Sequence, residues 1–332
     1  MRSYHISLSG VRRRRGWRSV SRLTDRRMGA RLDSGGRGLV GSLAECRMAV
    51  GALVVAAEGA RLMPKASVNG IDLCYEVQGR GEPLALIMGL GGGRGGWFFQ
   101  IRAFRKHYQV VTYDGRGMGR STGANALCTV RTMADDAVGL MDHLAIGRAH
   151  VLGVSLGGMV AQEVAINYPQ RVNKLVLAST TPGGGEVLDA HPELRAALGL
   201  VKGGPSQIDA STVNVGRLTG ILNSLGFNGA FYRVVVARLA TAYMKSVAAE
   251  GFVAQFEAAL GHNALDRLHL IQAPTLVIAG AADRLVSPRS SEVLASRIPG
   301  ARLVMVAGGS HTLVAENRHR FNQEVLAFLE SG

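Results

Sequence analysis

The run HVLGVSLGGMV, from His150 to Val160, sets a tight geometric condition on any fold that contains it. An apolar stretch suited to a buried strand ends at Val154 and a helical pattern begins at Leu156, which leaves one residue for the reversal. Glycines at 153 and 157 let strand and helix pack closely, so Ser155 projects from the bend. The first N–H groups of the following helix have no partner inside it and face any anion formed at that serine. Leu156 supplies one of them.

The G-x-S-x-G pattern alone is weak. GRSTG, residues 119–123, also fits it, but follows a Gly-rich loop and opens no helix at once. Context therefore selects Ser155 over Ser121. From Met63 onward, short β-type runs alternate with longer helical ones, which argues for a largely parallel sheet with helices on both faces. IDLCYEV alternates like an early antiparallel strand; PLALIM, YQVVTYD, AHVLGV, VNKLVLAS, PTLVIAG and ARLVMVAG read as core strands. Helices are expected at 97–106, 131–144, 156–168, 290–298 and 315–329.

One interval breaks the rhythm. Between Val176 and Pro274 no strand-like run is bounded by turn residues, yet amphipathic helical patterns recur, 230–247 among them. An inserted helical cap over 182–265, dividing a core of 63–181 and 266–332, accounts for this. Ligands of open parallel sheets bind outside the carboxyl ends of the strands, so such a cap would roof the site.

A serine hydroxyl needs a base to take its proton, and the base needs an acid to hold its tautomer. Asp283 in GAADRLVSP stands just past the strand PTLVIAG, and His311 in AGGSHTLVAEN just past ARLVMV. Of nine histidines, only His311 combines a preceding strand end with the order Ser, Asp, His. Asp114 also ends a strand, but YDGRGMGRS reads as a loop in which Asp114 and Arg116 fix turns. GLGGGRGG after PLALIM lets backbone approach a ligand and offers the Leu90 N–H as a second oxyanion donor; it lacks the Lys and Ser/Thr of a phosphate loop. Met88, Trp97, Asn214, Arg217, Tyr232 and His262 are candidate pocket walls, His262 with the stronger case for a packing role.

Composition bounds the remainder. A chain of 332 residues, 47% of them hydrophobic, can bury a large core. Its net charge of +14 suggests a polyanion partner until it is located: residues 1–62 carry thirteen Arg, no Lys and four acids, leaving +5 beyond. That Arg-, Ser- and Gly-rich stretch is expected to be disordered; a transit peptide or a nucleic-acid-binding tail would look similar, and Met63 is a candidate initiator. For the folded domain no nucleic-acid partner is expected. Cys46, Cys74 and Cys128 form no disulfide framework or metal pair, which fits a cytoplasmic setting. No uncharged apolar run reaches membrane-spanning length. The sequence leaves the oligomeric state open.

Taken in order, IMGLGGG, YDGRGMGRS, GVSLGG, GAADRLVSP and GGSH make the chain from Met63 to Gly332 resemble the α/β-hydrolase superfamily. It is similar in particular to the branch of 3-oxoadipate enol-lactonase-like and small carboxylic-ester hydrolases. The resemblance implies the α/β-hydrolase fold, a mostly parallel sheet of roughly eight strands. It further implies Ser155 as nucleophile, His311 as base then acid, Asp283 as its orienter, and the Leu90 and Leu156 N–H groups as the oxyanion hole. Neither metal nor organic cofactor is implied. Many relatives carry His-Gly where this chain has Met88-Gly89, which removes a polar side chain but not the backbone donor. Haloalkane dehalogenase and epoxide hydrolase chemistry would need a nucleophilic Asp at position 155. The expected reaction is hydrolysis of a small ester or lactone through an acyl-enzyme. A C–C bond hydrolase or cofactor-free perhydrolase on the same residues, or a receptor that binds a small molecule without turnover, remain as alternatives.

Overall fold

The computed structural model describes residues 63–124, 126–200, 208, 211, 213–229 and 248–331. The Arg-rich stretch 1–62, the helix expected at 230–247 and Tyr232 lie outside the described residues. Eight strands form one sheet: β1 (Lys65–Val68), β2 (Ile71–Gln78), β3 (Pro83–Ile87), β4 (Gln109–Tyr113), β5 (Ala149–Val154), β6 (Val172–Ala178), β7 (Thr275–Gly280) and β8 (Arg302–Val306). Their order is β1-β2-β4-β3-β5-β6-β7-β8; β1 and β2 pair antiparallel with each other, β2 with β4 likewise, and the other pairs are parallel. β1 was not expected, because its four residues hold a single fully buried side chain, Ala66.

Successive side chains of a strand point to opposite faces, and here both faces are apolar. Val151, Leu175, Leu177 and Val277 join one core cluster, while Leu152, Val154, Val176, Leu276 and Ile278 join another. Helices α1 (Phe98–Phe104), α2 (Val130–His143) and α3 (Leu156–Asn167) follow β3, β4 and β5 in turn. α2 and α3 complete the first cluster, whereas Phe104 of α1 lies in the second. α2 starts where Thr129 Oγ1 accepts from Thr132 N (3.0 Å) and Thr129 N donates to Thr132 Oγ1 (2.9 Å), which satisfies two otherwise orphaned donors.

Among the described residues no strand lies between β6 and β7. Helices α4 (Gly185–Ala190), α5 (Pro192–Ala197), α6 (Val215–Gly226) and α7 (Ala249–Leu260) occupy that interval and share an apolar cluster of their own, including Leu194, Leu218, Phe252 and Phe256. Met118, from the loop after β4, joins it from the core side, and Leu90 and Leu285 pack against it. The interval leaves and rejoins the core side by side: Gly183 bridges Asn263, and Ala264 N donates to Pro182 O at 2.8 Å.

α8 (Pro288–Arg297) returns to the first face, where Leu294 is fully buried. The helix expected over 315–329 is two helices, α9 (Leu313–Glu316) and α10 (Arg318–Glu330). Asn317 separates them at φ −110°, ψ 29°, outside helical geometry. The helix expected from Trp97 instead opens with a 3-10 turn over the glycine-containing Arg94–Trp97. No described helix is long and apolar enough to cross a membrane.

β3 has β4 on one side and β5 on the other, so the chain reverses its direction of travel across the sheet between β3 and β5. The carboxyl ends of strands flanking such a switch point form a crevice. Beside it, Arg116 of the loop after β4 makes a bidentate pair with Asp136 of α2, at 2.9 and 2.7 Å, both side chains buried. Burial pushes the Asp136 carboxyl up, against the opposing pull of Arg116 and Asn69. Removing one partner strands a buried charge. Arg116→Met is therefore expected to cost about 3–5 kcal/mol in denaturant unfolding; a loss under about 1 kcal/mol would show that the pair does not tie these elements together.

Candidate active site

At the end of β5 the backbone turns through Ser155 with φ 55° and ψ −121°, a left-handed conformation uncommon for any residue but glycine. Neighbouring bonds hold it there. Ser155 N donates to Ala178 O at 2.9 Å, and Ser155 O accepts from Gly158 N (2.8 Å), Met159 N (3.2 Å) and Thr180 Oγ1 (2.7 Å). A Cβ on Gly153 would stand 2.1 Å from Gly157 O, and one on Gly157 would stand 2.0 Å from Ile87 O. Both glycines are required by close backbone approach.

His311 and Asp283 come to this corner from loops after β8 and β7. His311 Nε2 is 3.1 Å from Ser155 Oγ, and its Nδ1 is 2.8 Å from Asp283 Oδ2. The carboxylate can only accept, so Nδ1 carries a proton and Nε2 is left to accept from the serine hydroxyl. Asp283 Oδ1 accepts from Leu285 N and Val286 N, both at 2.9 Å, which fixes the carboxylate plane. The two loops are joined through Ala282 N to Gly309 O at 2.8 Å.

Two backbone N–H groups, of Leu156 and Leu90, lie close to the same corner. Leu156 is the first residue of α3, where no helical carbonyl can accept its N–H. Gly89 O accepts from Gly92 N at 3.0 Å; in a planar trans peptide the Leu90 N–H then points the opposite way. A Cβ on Gly89 would stand 3.2 Å from Ser155 Cβ, so the Gly-rich loop passes directly over the serine. Two tethers hold that loop. Asp114 accepts from Arg94 N (2.9 Å) and Arg94 Nη1 (2.8 Å), and Gln255 of α7 accepts from Gly91 N (3.3 Å) while donating to Arg116 O (3.0 Å).

The candidate walls divide. Met88 lies against Gly92 and Gly96, which leave room for its thioether, and borders a crevice with Gly89, Gln255 and Arg116. Trp97 is a correction: it is fully buried with Leu84, Leu86 and Phe104 in the second core cluster and offers no surface to a ligand. Asn214 caps α6, its Oδ1 accepting from Arg217 N at 2.9 Å. His262 takes the packing place rather than the wall: it is buried beside Gln162 (3.5 Å) and Glu163 (3.6 Å), in a network completed by Arg267. Gln255 was not among the expected site residues, since a single polar position in a helical pattern gives no indication that it is buried against a loop.

Residues 82–317 match the family described as alpha/beta hydrolase fold. An inferred carbamate hydrolase, RutD of Azorhizobium caulinodans, is 30% identical over 266 residues, 80% of this chain and 98% of its own. 3-Oxoadipate enol-lactonase 2 of Acinetobacter baylyi is 28% identical over 271 residues, 80% of this chain and 95% of its own. Among solved structures, the enol-lactonase of Burkholderia xenovorans LB400 superposes with a TM-score of 0.71 at 28% identity, over 81% of this chain and 100% of its own.

Burial pushes the His262 imidazole down to about 4, against the pull of Glu163. An unfolded histidine titrates near 6.5, so on acidification the unfolded chain takes up this proton first and stability falls between about pH 6.5 and 4. His262→Asn is expected to flatten the loss of Tm across that window. An equally steep loss in the variant would assign the acid sensitivity elsewhere.

Proposed function

This chain belongs to the α/β-hydrolase fold family and is a hydrolase, and from that premise we propose that it cleaves small carboxylic esters or lactones through Ser155. The observation that carries the reading is the hydrogen-bonded line from Ser155 Oγ through His311 to Asp283, at 3.1 and 2.8 Å. Ser155 Oγ attacks the substrate carbonyl while His311 Nε2 takes the hydroxyl proton. Asp283 stabilises the imidazolium that results, and its fixed carboxylate keeps the ring in register. The oxyanion is received by the Leu156 and Leu90 N–H groups, which need not reorganise as charge develops. The proton then passes to the departing alkoxide, leaving an acyl-serine. A water molecule, deprotonated by the same imidazole, releases the acid and restores Ser155. Every step uses groups of this chain and water.

The relatives named for enol-lactone and carbamate hydrolysis support a substrate whose carbonyl carries a heteroatom leaving group. In this reading the 182–265 insertion is the cap: through Gln255 it reaches the loop that carries Leu90. The substrate is a small molecule, and free thiols at Cys74 and Cys128 suit a reducing, cytoplasmic setting.

Ser155→Ala is expected to lower kcat on p-nitrophenyl esters and lactones by about 10⁴-fold or more with an unchanged thermal transition. Turnover within tenfold of the parent would contradict the proposal. Gln255→Leu keeps the bulk of the side chain but frees Gly91. It should reduce kcat about tenfold, less than outright loss of an oxyanion donor, with KM little changed. A kcat within twofold would mean that the loop holds its place without Gln255.

A further inference from the structure

The end of α6 is bonded to the neighbours of both His311 and Asp283. Thr312 N and Thr312 Oγ1 donate to Gly226 O at 3.2 and 3.0 Å. Asn228 Nδ2 donates to Ala282 O at 3.1 Å, and Arg284 Nη2 donates to Phe227 O at 3.1 Å and to Ser224 O. Glu316, at the end of α9, closes the remaining gap. Its Oε1 accepts from Gly229 N at 2.7 Å, and its Oε2 accepts from Asn228 N at 3.1 Å and from Ser310 Oγ. All four residues flanking Asp283 and His311 are thus fastened to residues 224–229, directly or through this one carboxylate.

Resting on the roles given above to Ser155, His311 and Asp283, we propose that Glu316 is a positioning residue: it locks the imidazole loop to the helical insertion and so fixes Nε2 opposite the serine. A carboxylate that accepts two backbone N–H groups and a hydroxyl makes charge-assisted bonds, stronger than those of a neutral amide. The side chain sits five residues beyond His311 and bridges the His311 loop to residues 228 and 229, so the docked insertion becomes part of what holds the base in place. Displacing an imidazole by about 1 Å from its reactive position costs on the order of 10²-fold in rate, and a slackened loop samples such displacements. Glu316→Gln keeps the shape but turns an amide N–H₂ toward a backbone N–H. Thr312→Val keeps the Glu316 side chain but removes the hydroxyl that bonds Gly226 O (3.0 Å), Ser310 Oγ (3.2 Å) and Glu316 Oε2 (3.5 Å).

The test is ester turnover by the full chain, expressed per site titrated with a fluorophosphonate, together with KM and the thermal transition. Glu316→Gln is expected to lower per-site kcat about tenfold and Thr312→Val about threefold, each with KM within twofold. A residue that only supports the fold would lower the transition temperature or the number of titratable sites and leave per-site kcat unchanged. Per-site kcat within twofold of the parent in Glu316→Gln overturns the proposal; if that variant does not fold, the same result in Thr312→Val overturns it. Ser155→Ala runs alongside. Should it retain turnover, the underlying assignment of the serine has failed, which is a different outcome from a silent Glu316→Gln.

Discussion

The site depends on how closely α3 rides against the end of β3. Gly157 lies so near the Ile87 carbonyl that a single Cβ would collide with it at 2.0 Å, and Gly153 lies equally near the Gly157 carbonyl. This packing leaves one residue to turn the chain from strand to helix, and that residue takes a backbone conformation costing on the order of 1–3 kcal/mol. Bonds from Gly158, Met159 and Thr180 to the Ser155 carbonyl, and from the Ser155 N–H to Ala178, offset the strain. The hydroxyl is therefore held out from the sheet by backbone contacts rather than by its own preferences, beside the first free N–H of a helix.

Around that fixed point the remaining parts are tied from two sides. On one side, Asp114 and Gln255 hold the Gly-rich loop, so the Leu90 N–H is aimed by the Gly89 to Gly92 turn. On the other, the end of α6 holds the loops of Asp283 and His311. The insertion between β6 and β7 takes part in both, through α7 and α6. In the proposed reading it is tied to the loops of both partners of Ser155, so changes within it are expected to reach kcat.

Much of this was legible in the sequence, for physical reasons that differ by residue. Ser155, Asp283 and His311 each follow an apolar run that reads as a strand, and a parallel sheet brings the ends of such strands to one edge. Alternation along AHVLGV and VNKLVLAS does not separate two apolar faces by polarity, but the run lengths mark buried strands. Gln255 and Glu316 are not legible, because each is one polar residue in a helix whose backbone partners lie more than eighty positions away. The places of Trp97 and His262 follow from a related cause: which side of a loop a side chain takes is decided by packing. For Trp97 that packing is with Leu84, Leu86 and Phe104; for His262 it is with Gln162 and Glu163. β1 leaves no mark in the sequence, because an edge strand needs little apolar patterning to pair.

The central claim is that one serine, activated by one imidazole, becomes acylated. Intact mass after brief incubation with a fluorophosphonate, followed by peptide mapping, tests it most directly. The account requires one adduct per chain, on Ser155, formed far more slowly when His311 is replaced by alanine. An unmodified chain, or an adduct on Ser121 with Ser155 untouched, would contradict it.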